Sequence, residues 1–596
     1  METITQGQKL FTARLVIGLT QGLALYLLYS AYDAKAWPGT NGLVFEPLVL
    51  VFLFIPTLLI SALGEMSWRR ATAWAGIALV VIAGLAFFDN WSAWPVDWNF
   101  IKSGAEPHVA PSPQFFVFGA VGLFVAHALV VGGSIDRRFM ASYPTHFDTA
   151  WKLAVQLALA GVFVGAFWIL LWLGAGLFNL IMLGFFQRLI RHEWFAFPVT
   201  ALATAGAVHL TDIRPALVRG ARTLLLTLLS WLLPLITLIV GGFVVSLPFT
   251  GLKPLWGFGH ASALLLAAAA ALVVLINAAY QDGDAERRPP KILRWSGSVA
   301  ALLPLPLSVI SAYALYLRVA QYGWTVERIW MAAAVLLALA YAGGYAAAAL
   351  RRDTWLTWIE RWNFVMALAG LGVVIALFTP IASPARIAVA NQVARLNGGK
   401  VTAQKFDFDY LRWKGGRYGR DALTTLAASA DAFTKKAASY ALRQTARYAV
   451  ANAAAPSFAA HLTVYPRGQN LPASFLAMDW NKEQRLWLRP TCAGLGPCDA
   501  ILADLDGDGR PEVLIHQNQA ISLQVFHEDG AAGWSQAGRI NIPPICPKLL
   551  DALRQGQVGT VPPPVQHFND LEFGGVRYSL HPDEAGREYP KCPGQR

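Results

Sequence analysis

Charge is scarce in this chain. Lys, Arg, Asp and Glu make up 14% of its 596 residues, against roughly 25% in an average soluble protein, and so few charges could not cover a globular surface of that size. Cysteine is scarcer still: there are four, and none precedes position 492. The catalytic signatures that a string can reveal are also missing. There is no G-x-S-x-G, no H-E-x-x-H, no G-x-x-x-x-G-K-[ST] and no G-x-G-x-x-G ahead of a helix, so the common hydrolase, metalloprotease and nucleotide-binding classes lose their usual anchor. The net charge of +12 is shared almost evenly, with 24 basic and 17 acidic residues over 1–382 and 24 and 19 over 383–596. Neither part carries the dense basic face of a nucleic-acid binder.

What the chain does have is hydrophobicity, 55% of all residues with a mean hydropathy of +0.43. It is unevenly placed, because the second part holds as many basic residues as the first in little more than half the length. A membrane part precedes a soluble part. A bilayer core of about 30 Å needs about 20 apolar residues as helix, and eleven stretches satisfy this: 11–32, 43–64, 71–89, 114–134, 154–183, 194–210, 223–247, 260–280, 295–317, 329–350 and 360–382. The stretch 154–183 is long enough to tilt or to include a re-entrant turn, and 194–210 is short and holds Pro198. Pro56, Pro234, Pro304 and Pro306 are expected to kink helices, and Pro304-Leu-Pro306 to break one.

Connections on the cytoplasmic side collect Lys and Arg. The even-numbered connections hold 14 such residues, among them Arg69, Arg70, Arg137, Arg138, Arg287 and Arg288, against 7 in the odd-numbered ones. The N-terminus is thereby assigned to the cytoplasm, and eleven crossings place residues 383–596 in the periplasm of a bacterial inner membrane. The first span is too long for a signal peptide and lacks a small-residue cleavage site, so it reads as a retained helix. Polar residues inside the spans are few, and such groups are costly and often functional. His127, His209 and Asn277 mark a candidate intramembrane polar site, beside Glu46, Asn179, Asn363, Arg318 and Arg361 nearer the boundaries. A histidine satisfied within the bundle is an equal alternative to a proton relay. Asp89, Asp97 and Glu106, with Trp91, Trp94 and Trp98, are candidates in the outer connection 90–113, where tryptophans also serve as interfacial anchors.

The soluble part divides at about residue 460. Residues 383–459 read as a helical neck with Gly415-Gly416 as a turn. Residues 460–596 read as a β-rich module, with strands at 461–465, 486–488, 513–516, 522–526 and 576–580. Its cysteines, Cys492, Cys498, Cys546 and Cys592, suit an oxidising compartment and are expected to form disulfides, Cys492–Cys498 and Cys546–Cys592 being favoured among three possible pairings. Gaps of five, 47 and 45 residues do not suit zinc. Between Ile501-Leu502 and Val513-Leu514-Ile515 runs Asp504-Leu-Asp506-Gly-Asp508-Gly-Arg510-Pro-Glu512. Asp504, Asp506, Asp508, Glu512 and the carbonyl of Arg510 are the oxygen set that gathers Ca²⁺. Position 12 is Ile515, which argues against an EF-hand; a turn without metal is the simpler alternative. Over about a dozen residues the segment resembles the calcium loop of integrin-type FG-GAP repeats, but one copy cannot build a propeller.

Three longer stretches also carry a resemblance: Phe197-Pro-Val-Thr-Ala-Leu-Ala-Thr-Ala-Gly-Ala-Val-His-Leu-Thr211, Tyr313-Ala-Leu-Tyr-Leu-Arg-Val-Ala-Gln-Tyr-Gly-Trp-Thr-Val-Glu-Arg328 and Phe406-Asp-Phe-Asp-Tyr-Leu-Arg-Trp-Lys-Gly-Gly-Arg-Tyr-Gly-Arg420. Together they resemble a bacterial polytopic membrane family catalogued as domain of unknown function 4153, over about residues 10–455. The resemblance implies an integral inner-membrane protein and supplies neither an activity nor site residues. The fold expected is therefore mainly α, a polytopic membrane bundle with a neck and a small disulfide-stapled β-rich module outside. The leading functional expectation is a calcium-stabilised periplasmic module that binds an envelope protein or glycan. A transporter with a site among kinked helices and an enzyme acting on lipid-linked envelope precursors are the alternatives, and the lipid bilayer is the one partner common to all three.

Overall fold

The computed structural model describes residues 2–93, 111–252, 255, 261–283, 289–351, 356–444, 462–477, 498–505, 507, 509–517, 522–528, 534–541, 551–552, 554–555, 571–573 and 576–578. The chain separates into two compact units, Met1–Arg447 and Tyr448–Arg596.

Among the described residues every regular element of the first unit is a helix. Its long helices are α1 (Glu2–Asp33), α2 (Gly42–Ala62), α3 (Trp68–Ala93), α4 (Pro113–Asp136) and α5 (Tyr143–Leu180), then a short α6 (Phe185–Arg191), α7 (Glu193–Ile213), α8 (Pro215–Thr250) and α9 (Ala261–Tyr280). They continue through α10 (Lys291–Ala300), α11 (Pro304–Tyr322), α12 (Val326–Leu350) and α13 (Trp358–Leu377). Eleven helical segments among the described residues are long and apolar enough to cross a membrane, α10 and α11 counting together as one. The expected stretch 154–183 belongs to one 38-residue helix, Tyr143–Leu180, and the turn at 181–184 leads into α6.

Local chemistry sets these boundaries. Ser112 caps α4 by accepting the Phe115 N–H at 3.1 Å, with Pro113 in the first turn, and Ser142 followed by Pro144 starts α5 in the same way. A hydroxyl acceptor supplies what the free first-turn amides lack, and proline there forfeits no helical hydrogen bond. Pro56, Pro198 and Pro234 sit inside continuous helices. Pro304 instead starts a new helix after the turn at 301–303, so the expected break is present. Large apolar side chains such as Val162, Ile169, Leu170, Leu228 and Leu238 point outward, each more than half exposed. Such a belt would drive aggregation in water and is stable only against lipid. This is an integral membrane protein.

The neck helices are α14 (Pro384–Asn397), α15 (Phe408–Lys414), α16 (Gly416–Ala427) and α17 (Ala432–Arg443). They bury Leu411, Leu423 and Ala438 in a core of their own. They also dock on the helix ends of the membrane part: the Tyr410 hydroxyl accepts the Val326 N–H at 2.8 Å, Asn391 Oδ1 accepts the Trp324 N–H at 2.9 Å, and Lys414 pairs with Glu327 at 3.2 Å. Gly415-Gly416 does form the turn. Gly416 has a φ of +55° and lies against the Ser92 carbonyl, where a Cβ would collide. Two of the three stretches that carried the family resemblance thus meet face to face.

The second unit holds β1 (Leu462–Tyr465), α18 (Ala473–Ala477), β2 (Cys498–Ala503), β3 (Glu512–Gln517), β4 (Ser522–Glu528), β5 (Trp534–Asn541), β6 (Leu571–Phe573) and β7 (Val576–Tyr578). The first five strands form one sheet in chain order, β1 parallel to β2 and the rest antiparallel. Alternation buries one face (Ala500, Leu502, Val513, Ile515, Phe526) beneath Phe475 and Trp534 and the other (Ile501, Leu514, Leu523, Val525) in a second cluster. The expected strand at 486–488 lies outside the described residues. The sequence reading missed β5 and saw β2 only as the flank Ile501-Leu502, because Cys-Asp-Ala and Trp-Ser-Gln-Ala-Gly carry little β-branched signal.

Candidate functional site

The three intramembrane residues singled out from sequence do not form one site. His127 is buried and fully partnered, its Nδ1 accepting the Trp74 indole N–H at 3.1 Å and its Nε2 lying 3.2 Å from Ser61 Oγ. It is a satisfied interior histidine. His209 belongs to a different cluster, with Nδ1 3.3 Å from an Arg14 guanidinium nitrogen. That guanidinium, fully buried, donates to the Ile60 carbonyl at 3.0 Å and pairs with Asp212. Gln156 donates to Asp212 at 2.9 Å, and Lys152 pairs with Glu65. Every charge here has its partner, which is the condition for burying it. The cluster ties α1, α2, α5 and α7 together.

Asn277 is the residue that leads to a cavity. It lies in α9, and its amide nitrogen donates to the Tyr345 hydroxyl at 2.6 Å and to the Val273 carbonyl at 2.8 Å. Tyr345 in turn donates to Asn363 Oδ1 at 2.8 Å, and Asn363 returns a hydrogen bond to Asn277 Oδ1 at 2.7 Å. Tyr143 donates to the same oxygen at 3.3 Å. Beside this ring, the Tyr280 hydroxyl donates to Glu360 at 2.6 Å. Asn277, Asn363, Tyr143 and Glu360 line a cavity of about 470 Å³ between α4, α5, α9, α12 and α13, whose other walls are mainly apolar, including Phe124, Phe147 and Trp151. All five helices contribute the ends that adjoin the Arg-rich, even-numbered connections.

His146 completes the wall. Its ring lies 5.6 Å from that of Phe364 and presses on Gly132, where a Cβ would come within 2.7 Å of Nδ1. Both ring nitrogens are buried and neither has a hydrogen-bond partner. A buried polar atom left unpaired costs about 1–3 kcal/mol, so this wall holds an unused donor and acceptor. Sequence reasoning found Asn277 and Asn363 but missed Tyr143, His146 and Tyr345. Tyrosine and histidine at a helix start look like interfacial residues, and no local pattern distinguishes the two.

The other sequence candidates are scattered. Glu46 is buried and accepts from Asn90 at 3.1 Å. Asp89 is not in an outer loop but inside α3, almost fully buried, where it accepts the Ser112 N–H at 3.2 Å. Asp97, Glu106, Trp94 and Trp98 lie outside the described residues. Asn179 donates to Gln187 at 2.8 Å, holding α6 against the end of α5.

In the second unit the acidic loop joins β2 to β3. Asp504 accepts the N–H groups of Gly507 at 2.7 Å and Gly509 at 3.0 Å, and Glu512 accepts that of Leu505 at 2.6 Å. Gly507 and Gly509 both have positive φ, +81° and +83°, the conformation that glycine reaches without strain. Asp506 and Asp508 lie outside the described residues, as do Cys492, Cys546 and Cys592. Among the described residues no three His, Cys, Asp or Glu side chains converge as a metal site. Cys498 is buried at the start of β2.

Residues 23–427 match the family described as Domain of unknown function (DUF4153). No curated protein and no solved structure matches the chain. The matched span takes in the spanning helices from α1 onward, the cavity and the neck as far as α16, and the chain belongs to the DUF4153 family of membrane proteins.

Proposed function

We propose that this protein is a bacterial inner-membrane carrier that holds an amphipathic molecule in the cavity between α4, α5, α9, α12 and α13. The observation that carries the reading is His146, which lines a largely apolar chamber of ligand size and keeps two buried ring nitrogens without a partner. Ligand sites have this makeup, mostly apolar walls with a few fixed polar groups. The molecule's polar end would meet His146 and the Asn277–Asn363 pair, and its apolar part Phe147 and Trp151. The break at 301–303 supports transport over static storage. Leu303 and Leu307, on either side of Pro304, pack in one cluster with Ile276 and Tyr345, next to the residues that set the cavity's polar floor. Broken helices beside a binding site recur in transporters.

The test is binding of a fluorescent lysophospholipid to the purified protein in nanodiscs. His146→Leu and Asn277→Leu should each weaken it several-fold, and unchanged binding in both would end the reading.

For the second unit we propose a periplasmic module stapled by disulfides and stabilised by Ca²⁺ at Asp504, Asp506, Asp508, Arg510 and Glu512, able to bind an envelope protein or glycan. The positive-φ glycines and the pinned Asp504 and Glu512 support a loop that is shaped before metal arrives. Two further carboxylates in the same turn repel one another unless a cation compensates.

A further inference from the structure

A second concavity lies on the outer surface of the first unit, where α3, α4 and α13 run side by side. It is a groove of about 670 Å³ whose floor is apolar, formed by Trp74, Ile77, Leu368 and Leu371. Its rim is basic: Arg70, Arg137 and Arg138 all line it, and all three are exposed. Among the described residues none of them is within ion-pair distance of a carboxylate. Asp136, whose carboxylate also feels the charge of Arg138, accepts the Ser142 N–H at 2.7 Å through one oxygen and the Thr145 hydroxyl at 2.9 Å through the other. Arg70 donates weakly to Ser134 at 3.4 Å.

The backbone keeps the basic rim in place. Arg137 ends α4 in the left-handed conformation, φ +54°, a position where glycine is usual and a Cβ is unfavourable. Gly133, one turn earlier, accepts the N–H groups of Arg137 and Arg138, and a Cβ there would meet the Arg138 carbonyl at 2.8 Å. Phe139 follows, almost fully exposed, as aromatic side chains at a membrane interface are. The groove therefore has an apolar floor and, at its end, three guanidinium groups that form no ion pair among the described residues.

We propose that this groove binds an anionic phospholipid, its phosphate held by Arg70, Arg137 and Arg138 and one acyl chain laid along Trp74, Ile77 and Leu371. Guanidinium groups suit phosphate because they offer paired donors in a fixed plane. Basic pockets between spanning helices on the cytoplasmic side take anionic headgroups, and the loop charges assign this end of the bundle to the cytoplasm. The site is separate from the cavity that holds His146, although Leu129 and Phe364 form part of both walls.

Native mass spectrometry of the full chain with equal amounts of dioleoylphosphatidylglycerol and dioleoylphosphatidylcholine tests it. The wild type should retain the anionic lipid at least about ten-fold better, since each arginine near a membrane surface contributes a factor of about five. R70Q/R137Q/R138Q should bring the two lipids to near parity, whereas R214Q/R219Q at the start of α8 should keep the preference. Excess inorganic phosphate should leave the lipid bound. Should the triple variant fail to fold, the three single variants must each lower the preference. The proposal is overturned by an undiminished preference in all arginine variants of the groove, by an equal loss in the α8 control, or by complete displacement by free phosphate.

Discussion

Asn277 and Asn363, 86 positions apart, exchange a hydrogen bond of 2.7 Å and share the Tyr345 hydroxyl between them. Three helices, α9, α12 and α13, are thereby closed into one ring of side-chain amide and phenol. Within a bilayer such bonds average about 0.6 kcal/mol each. Asn277→Leu removes its bonds to Tyr345, Asn363 and Tyr143 at once and should cost about 2 kcal/mol of unfolding free energy in a denaturing-detergent titration. The double variant Asn277→Leu/Asn363→Leu should be less than additive, since both changes delete the same contact. Strict additivity would show that the ring does not form.

Tyr410 provides a pH readout of the neck. Burial pushes its phenol up to about 12, and its oxygen accepts the first amide of α12. The neutral phenol is the form the fold favours. Its contribution is fully present below the ordinary tyrosine range near 10 and is lost as pH rises through about 12. Tyr410→Phe should destabilise the protein by roughly 1–3 kcal/mol at neutral pH by leaving that N–H unpaired. The gap between wild type and variant in thermal melts should close between pH 10 and 12, and a constant gap would contradict the assignment.

Calcium should raise the melting temperature of the full chain, and a chelator should reverse the shift. At ten times Kd the native state gains about 1.4 kcal/mol, with Kd expected at roughly 10⁻⁴–10⁻³ M for an extracellular-type site. Asp506→Ala and Asp508→Ala should abolish the response. A melting temperature indifferent to calcium would leave the loop as a turn held by Asp504 and Glu512 alone.

The loop charges and the cysteine placement together predict a cytoplasmic N-terminus and a periplasmic second unit. Alkaline phosphatase fused after residue 596 should be active in cells, and fusions within 65–70 or 283–293 inactive. The reverse pattern would invert the orientation and move the Arg-rimmed groove to the outer leaflet.

Non-reducing peptide mapping should find Cys546 joined to Cys592. Closing that loop removes roughly 4 kcal/mol of unfolded-state entropy, and the short Cys492–Cys498 loop roughly half as much. Recovery of Cys546 alkylated without reductant would refute the longer bridge.

The helical architecture of the first unit was legible in the order of its residues, because the signals are local. A run of about 20 apolar residues is costly anywhere but in lipid, so spans could be counted without a structure, although α5 and α8 begin eleven and eight residues before the apolar runs that announced them. Ser112-Pro113 and Pro304-Leu-Pro306 set a helix start and a helix break through the chemistry of one or two residues. The acidic loop between two strands was legible for the same reason, since Asp504, Gly507, Gly509 and Glu512 act within nine positions of one another.

Which polar groups meet depends instead on how the helices pack. Arg14 reads as an ordinary basic residue at the start of the first span, yet it is fully buried because Asp212, nearly two hundred residues later, arrives to pair with it. Asp89 reads as a loop acid and is instead drawn inside α3 to hold the start of α4. By hydropathy His146 falls in the connection between the stretches 114–134 and 154–183, and nothing in its neighbours reveals that packing against Gly132 and Phe364 leaves both nitrogens without partners. Hydropathy is a property of each residue and can be summed along a chain. A site depends on distances between residues far apart in sequence, and these exist only once the helices have packed.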